Sequence, residues 1–137
     1  DPKNPVAGWS LVHIPYCTGD IHWGDAVKDY APDLKIHHKG FVNTKSVLDW
    51  VFARYQPKEV LITGCSAGAY GAIGHAPYVA DQYPNAKITA VSNSASQREF
   101  IEARAAAKGL TNLRIVTADS ALPTARKAPG RRRWAWR

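Results

Sequence analysis

The run Lys58-Glu59-Val60-Leu61-Ile62-Thr63-Gly64-Cys65-Ser66-Ala67-Gly68-Ala69-Tyr70-Gly71-Ala72-Ile73-Gly74-His75 joins three local patterns without a gap. Its first part is short and mostly apolar, and reads as a buried strand. Its last part is rich in small residues, which can open a tightly packed helix. Between them stands Gly64-Cys65-Ser66-Ala67-Gly68, a G-x-S-x-G. That pattern between a strand and a helix is the signature of a nucleophile elbow, where a serine is presented at the tip of a sharp turn. Glycine is expected at Gly64 and Gly68 because a Cβ at either flank would meet the adjoining strand and helix. Ser66 then stands at a helix N-terminus, where backbone N–H groups can stabilise an oxyanion.

Strands and helices alternate on both sides of this turn. Ser10 to Pro15 alternates too little for a half-exposed strand and reads as a buried one. Tyr16 to Lys39 reads as a long loop, with turn residues at Thr18-Gly19-Asp20, Trp23-Gly24-Asp25 and Ala31-Pro32-Asp33. Asn43-Thr44 can cap a helix running to about Tyr55, with Val47, Leu48, Val51 and Phe52 on one apolar face and Pro57 ending it. Strand 59–63, the elbow, helix 67–82 and strand 87–91 follow. A third helix is predicted over 95–108, with Ser96 as its cap, Glu99 at the capping-box position and Gly109 closing it. Strand 113–117 comes last. The alternation implies the α/β class, a three-layer, mostly parallel sheet, in a single partial domain over 1–119.

Outside the elbow, three separated motifs carry a resemblance. They are Val12-His13-Ile14-Pro15-Tyr16-Cys17-Thr18-Gly19-Asp20-Ile21-His22-Trp23-Gly24-Asp25, then His38-Lys39-Gly40-Phe41-Val42-Asn43, then Val47-Leu48-Asp49-Trp50. With the extended elbow from Thr63 to Tyr78 they resemble the pectin acetylesterase family, which includes the Notum carboxylesterases, over about residues 9–84. The resemblance implies an α/β-hydrolase-like fragment and hydrolysis of an ester by a Ser-His-Asp triad. It implies Ser66 as nucleophile and the Ala67 N–H as one arm of the oxyanion hole. It also implies a pocket-bordering loop containing Tyr16, Asp20, His22 and Trp23, and an acetylated carbohydrate or other ester as substrate. No cofactor is implied. Members of the family are often secreted, which would permit a disulfide, but localisation is not legible here.

From Tyr83 onward the resemblance changes. Ile88-Thr89-Ala90-Val91-Ser92-Asn93-Ser94-Ala95-Ser96-Gln97-Arg98-Glu99-Phe100-Ile101-Glu102 is similar to a strand and helix of class I S-adenosylmethionine methyltransferases related to cyclopropane fatty-acid synthases. Gly109-Leu110-Thr111-Asn112-Leu113-Arg114-Ile115-Val116-Thr117-Ala118-Asp119 resembles the next loop and strand. This alternative implies S-adenosylmethionine as cofactor, with Gln97 and Asp119 near it. The place of the Gly-rich cofactor loop is, however, taken by Gly64 to Gly68. The two resemblances overlap at Tyr83 to Thr89, so the chain reads as a join. Hydrolases of this fold order the triad as Ser, acid, His, yet no histidine follows His75. Nothing before Trp9 resembles the other oxyanion donors. The expectation is a truncated or chimeric, inactive fragment, consistent with a first residue, Asp1, that is not methionine.

Composition sets bounds on the alternatives. The formal net charge is +7, but six basic residues lie after Ser120 with no acidic one, and removing them leaves +1. A basic tail with Trp134 and Trp136 could grip phosphates and stack bases. Its lack of periodicity and caps favours a solvated terminus over 120–137 and argues against a nucleic-acid partner. The apolar fraction of 45% is enough for a core, and no run is long enough to span a membrane. Cys17 and Cys65 define no disulfide framework. His22 between Asp20 and Asp25 matches no specific metal spacing, so no metal is expected. His37 and His38 diverge on any regular backbone. His75, about two and a half turns beyond Ser66, reads as structural. A hydrolase, a methyltransferase and a basic binding module therefore stand in descending order.

Overall fold

The computed structural model describes residue 4 and residues 6–92 and 94–117. Asp119 and the basic segment 120–137 lie outside the described residues. An antiparallel hairpin of β1 (Ala26–Ala31) and β2 (Leu34–His38) precedes helix α1 (Gly40–Arg54). Then come β3 (Glu59–Ile62), α2 (Ala67–Gln82), β4 (Lys87–Ser92), α3 (Ala95–Ala107) and β5 (Leu113–Thr117). The last three strands form a parallel sheet in the order β3-β4-β5, with Val60 opposite Ile88 and Ala90 opposite Ile115. This is the α/β architecture with a parallel sheet that the alternating pattern implies.

Alternation along the strands divides the sheet into two unlike faces. Ile88, Ala90 and Ser92 of β4 are buried, whereas Lys87 is exposed and Thr89 and Val91 are half-buried. The buried side packs on α2 and α3: Ile73 and Ala76 meet Ala90, Ile101 and Ile115 in one cluster. Val79, Ala80, Tyr83, Ala86 and Ile88 form a second, against which Leu48 and Phe52 of α1 also pack. Ala76, Ala80 and Ala90 are fully enclosed, so small side chains let helix and strand backbones approach closely. The opposite side, carrying Leu61, Thr89, Val91 and Val116, stays half-buried.

Polar staples tie the helix ends. The Asn112 side-chain amide faces the carbonyls of Ala80, Tyr83 and Ala86 at 3.0, 2.8 and 3.2 Å, tying the open end of α2 and the turn that follows it. The Tyr83 hydroxyl donates to the Tyr55 carbonyl at 3.0 Å, beyond the end of α1.

Three local expectations are corrected. Ser10 to Pro15 forms no strand and Leu11 is 91% exposed; an apolar run without a neighbouring strand has no ladder to join. The 16–39 segment is not all loop, since β1 and β2 lie within it. In α3 the cap is Ser94 rather than Ser96, its hydroxyl accepting from the Gln97 N–H. Gly109 closes that helix with φ +67, as expected.

Candidate active site

Ser66 lies where β3 turns into α2, with φ 53° and ψ −121°. A non-glycine residue in this region is strained and persists only where its surroundings over-determine it. Gly64 supplies the reason. A Cβ there would overlap the Gly68 carbonyl and the Ala69 nitrogen, all backbone atoms. Gly68 differs from expectation, because a Cβ added to it would meet nothing within 4 Å. Only one of the two elbow glycines is sterically required by the described residues. Ser66 and Cys65 are exposed. Ala67 is the first residue of α2, so its N–H has no partner inside the helix and is free to point at a ligand.

A second group of residues packs along α2 just beyond the elbow. Gly71 and Gly74 leave the helix without side chains on one stripe, and the Tyr16–Asp25 loop fills it. An added Cβ at Gly71 would stand 2.8 Å from His22 Cδ2, and one at Gly74 would collide with the Trp23 ring. The Trp23 indole N–H donates to the Tyr70 carbonyl at 3.3 Å. Tyr16 stacks obliquely on His22 with ring centroids 5.0 Å apart, and its hydroxyl accepts the Ile21 N–H at 3.0 Å. The loop thereby lays His22 and Trp23 on the elbow helix, with Tyr16 packed on His22.

Asp20 organises this loop. Its carboxylate accepts the Gly40 N–H at 2.7 Å, the Thr18 hydroxyl at 2.7 Å and the His22 N–H at 3.2 Å. Partial burial pushes the carboxyl upward, but the hydrogen bonds from Thr18, Gly40 and His22 outweigh it and leave the group below its ordinary range. Because Gly40 opens α1, Asp20 caps that helix from twenty residues away. This explains why α1 begins before the Asn43-Thr44 cap expected from the sequence. Thr44 is instead buried with its hydroxyl 3.4 Å from His22 Nδ1. Asp25 pairs with Lys39, so Asp20, His22 and Asp25 do not converge on one point. Among the described residues no cluster of three or more His, Cys, Asp or Glu could hold a metal.

His75 was legible only as a structural residue, and the structure gives that role content. Its Nε2 lies 3.0 Å from the His22 carbonyl, which requires a proton on that nitrogen. Its ring stacks with both Trp23 and Phe41, with centroids at 5.4 and 5.7 Å. Burial, against the opposing hydrogen bond to His22, holds its pKa below the usual histidine value. No imidazole is hydrogen-bonded to Ser66 among the described residues. Gln97, the alternative cofactor residue, accepts the Ser92 hydroxyl at 3.0 Å at the end of β4; Asp119 lies outside the described residues.

Comparison with known proteins joins this geometry to a lineage. The Pectinacetylesterase family model matches residues 2–110. The chain belongs to the pectinacetylesterase family. Pectin acetylesterase 4 of Arabidopsis thaliana is 28% identical over 98 residues, covering 68% of this chain and 24% of that protein. A (S)-coclaurine N-methyltransferase from Thalictrum flavum subsp. glaucum is 43% identical over 60 residues, 44% of this chain and 15% of that protein. A crystal structure of coclaurine N-methyltransferase bound to N-methylheliamine and SAH superposes with a TM-score of 0.47 at 25% identity, covering 74% of this chain and 28% of that one. A pectinacetylesterase segment and a methyltransferase-like segment thus occur in one chain, which spans 15% and 24% of these two curated relatives.

Proposed function

We propose that this chain carries the nucleophile segment of a carboxyl-ester hydrolase of the pectin acetylesterase type, with Ser66 as the attacking group. The observation that supports this most is the backbone of Ser66, φ 53° between β3 and α2, in a family that acts on esters by its name. A serine held there projects away from both elements, and the Ala67 N–H stands next to it as an oxyanion donor. The substrate class on this reading is an acetylated carbohydrate or a related ester. An isolated serine hydroxyl is a poor nucleophile near neutral pH and needs an adjacent base. With no imidazole hydrogen-bonded to Ser66 among the described residues, only slow chemistry is expected at this serine. Fluorophosphonate labelling tests this. Slow adduct formation is expected at Ser66 in preference to the other serines, and is lost in Ser66→Ala. Indiscriminate labelling of serines would overturn the assignment.

A second reading has one observation in its favour, the 43% identity to an N-methyltransferase. On it, residues 83–119 derive from a methyltransferase and the chain is chimeric. The elbow occupies the position of the Gly-rich cofactor loop, and Gln97 is bound to Ser92. Calorimetric titration with S-adenosylmethionine is therefore expected to show no saturable binding. Micromolar binding would make this reading the functional one.

A further inference from the structure

His22 and His75 are both buried, at 7% and 6% exposure, and nothing in the nucleophile reading uses either ring. Their placement is specific. His75 projects from the third turn of α2 and binds the carbonyl of His22 at 3.0 Å. Ile21 and His22 both have positive φ, 54° and 66°, an arrangement that is unfavourable for any L-residue and rare for a β-branched one. Two consecutive strained residues stay folded only if something holds them, and the His75 bond is made at that pair.

We infer that His75 is a positioning residue for the Ser66 site: it latches the Ile21–His22 turn onto the elbow helix while neutral and releases it when protonated. The groups around the ring explain the direction. The loop presents the His22 carbonyl and the Trp23 ring, and α1 presents the Phe41 ring. The loop's carboxylates are engaged elsewhere, Asp20 with Gly40 and Asp25 with Lys39. Asp49 is bound to Tyr78 and Lys45. Among the described residues no carboxylate is hydrogen-bonded to the imidazole to compensate an imidazolium, and His22 is a titratable neighbour. The attraction of the flanking aromatic rings for a cation is smaller than the cost of removing the charge from water. Burial accordingly lowers the His75 pKa. Undocking the loop hydrates the ring, so acid favours the released state.

The latch rests on the nucleophile reading only for its effect on Ser66; the loop motion is testable by itself. In the whole chain, the His22 and Trp23 amides donate to Asp20, at 3.2 and 3.0 Å, and report docking by hydrogen exchange. Their protection factors, corrected for intrinsic exchange, are expected to fall below about pH 6.5 by up to roughly tenfold per pH unit, the limit for one linked proton. His75→Gln keeps an N–H donor and cannot be protonated, so protection is expected to persist at pH 5. His22→Gln is expected to retain the pH dependence. Loss of the dependence in His22→Gln instead, or its survival in His75→Gln, would overturn the latch. If His75→Gln does not fold, the His75 Cε1 proton titration in the unaltered chain takes its place: a midpoint at or above 6.5 refutes the inference. Labelling of Ser66 at pH 7 is read in the same samples. Its failure counts against the nucleophile alone, because amide protection is independent of it.

Discussion

Replacing Gly74 by alanine sets two effects of opposite sign against each other, which makes the outcome diagnostic. In an exposed helix the change would stabilise by about 1 kcal/mol, because glycine is the poorer helix former. Here the new methyl would enter the Trp23 ring and force it off α2. Trp23 is 42% exposed, so rather more than half of its surface is covered. Taking that as on the order of 130 Å² of a large aromatic side chain, the lost burial is worth about 3 kcal/mol. The indole bond to Tyr70 and the stacking on His75 are lost with it. Freed loop residues recover some entropy, and the expected net destabilisation is about 2 kcal/mol. In a Trp23→Ala background the obstacle is gone, and the same substitution should stabilise by about 1 kcal/mol. Urea unfolding of the four proteins in this cycle measures the reversal. If Gly74→Ala stabilises in both backgrounds, Trp23 is not seated on Gly74 in solution and the description of the loop is wrong.

The elbow glycines should separate just as clearly. Gly64→Ala, which forces backbone atoms apart, is expected to cost about 2–3 kcal/mol, while Gly68→Ala should be neutral or slightly stabilising, both read by urea unfolding. Asn112→Ala removes the staple on three carbonyls and should cost about 1–2 kcal/mol, with increased exchange at the end of α2. Acid should weaken the loop in two steps of the same sign. His75, lowered by burial, contributes stability that is full above about pH 6.5 and declines as pH falls from there, and Asp20, lowered by its hydrogen bonds, adds a loss below about pH 4. A unfolding free energy that is flat from pH 7 to pH 5 would contradict the first step.

Local pattern carried most of the second half of the molecule. The bounds of β3, α2, β4, α3 and β5 agree with the predicted ones to within a residue or two, because each is a buried strand or an amphipathic helix with its own end signals. The first half resisted for a physical reason. The β1 and β2 strands bury no face on the core, so alternation had nothing to mark, and only the Ala31-Pro32-Asp33 turn hinted at a hairpin. Ser66, Gly64 and the Tyr16–Trp23 loop stand out in the sequence as candidate site residues because each motif is contiguous. Asp20 as the cap of α1 and His75 as the partner of His22 do not, since each acts across a long sequence separation. A glycine pair at Gly71 and Gly74 inside a helix was the available signal: such spacing marks a stripe where another part of the chain comes close. The join between the two resemblances is likewise a matter of packing. Ile73 and Ala76 from one side and Ile101 and Ile115 from the other share a cluster, and Asn112 reaches back to Ala80.

The elbow rises from β3, a strand of four residues with β4 as its one neighbour among the described residues. A strained turn anchored from one side has little to resist relaxation when that short ladder frays. Presentation of Ser66 should then be lost on warming before the core of α2, β4 and α3 melts. Loss of Ser66 labelling and unfolding of the chain would be separate events, and a thermal midpoint read from helix content would overstate the temperature to which the turn keeps its shape.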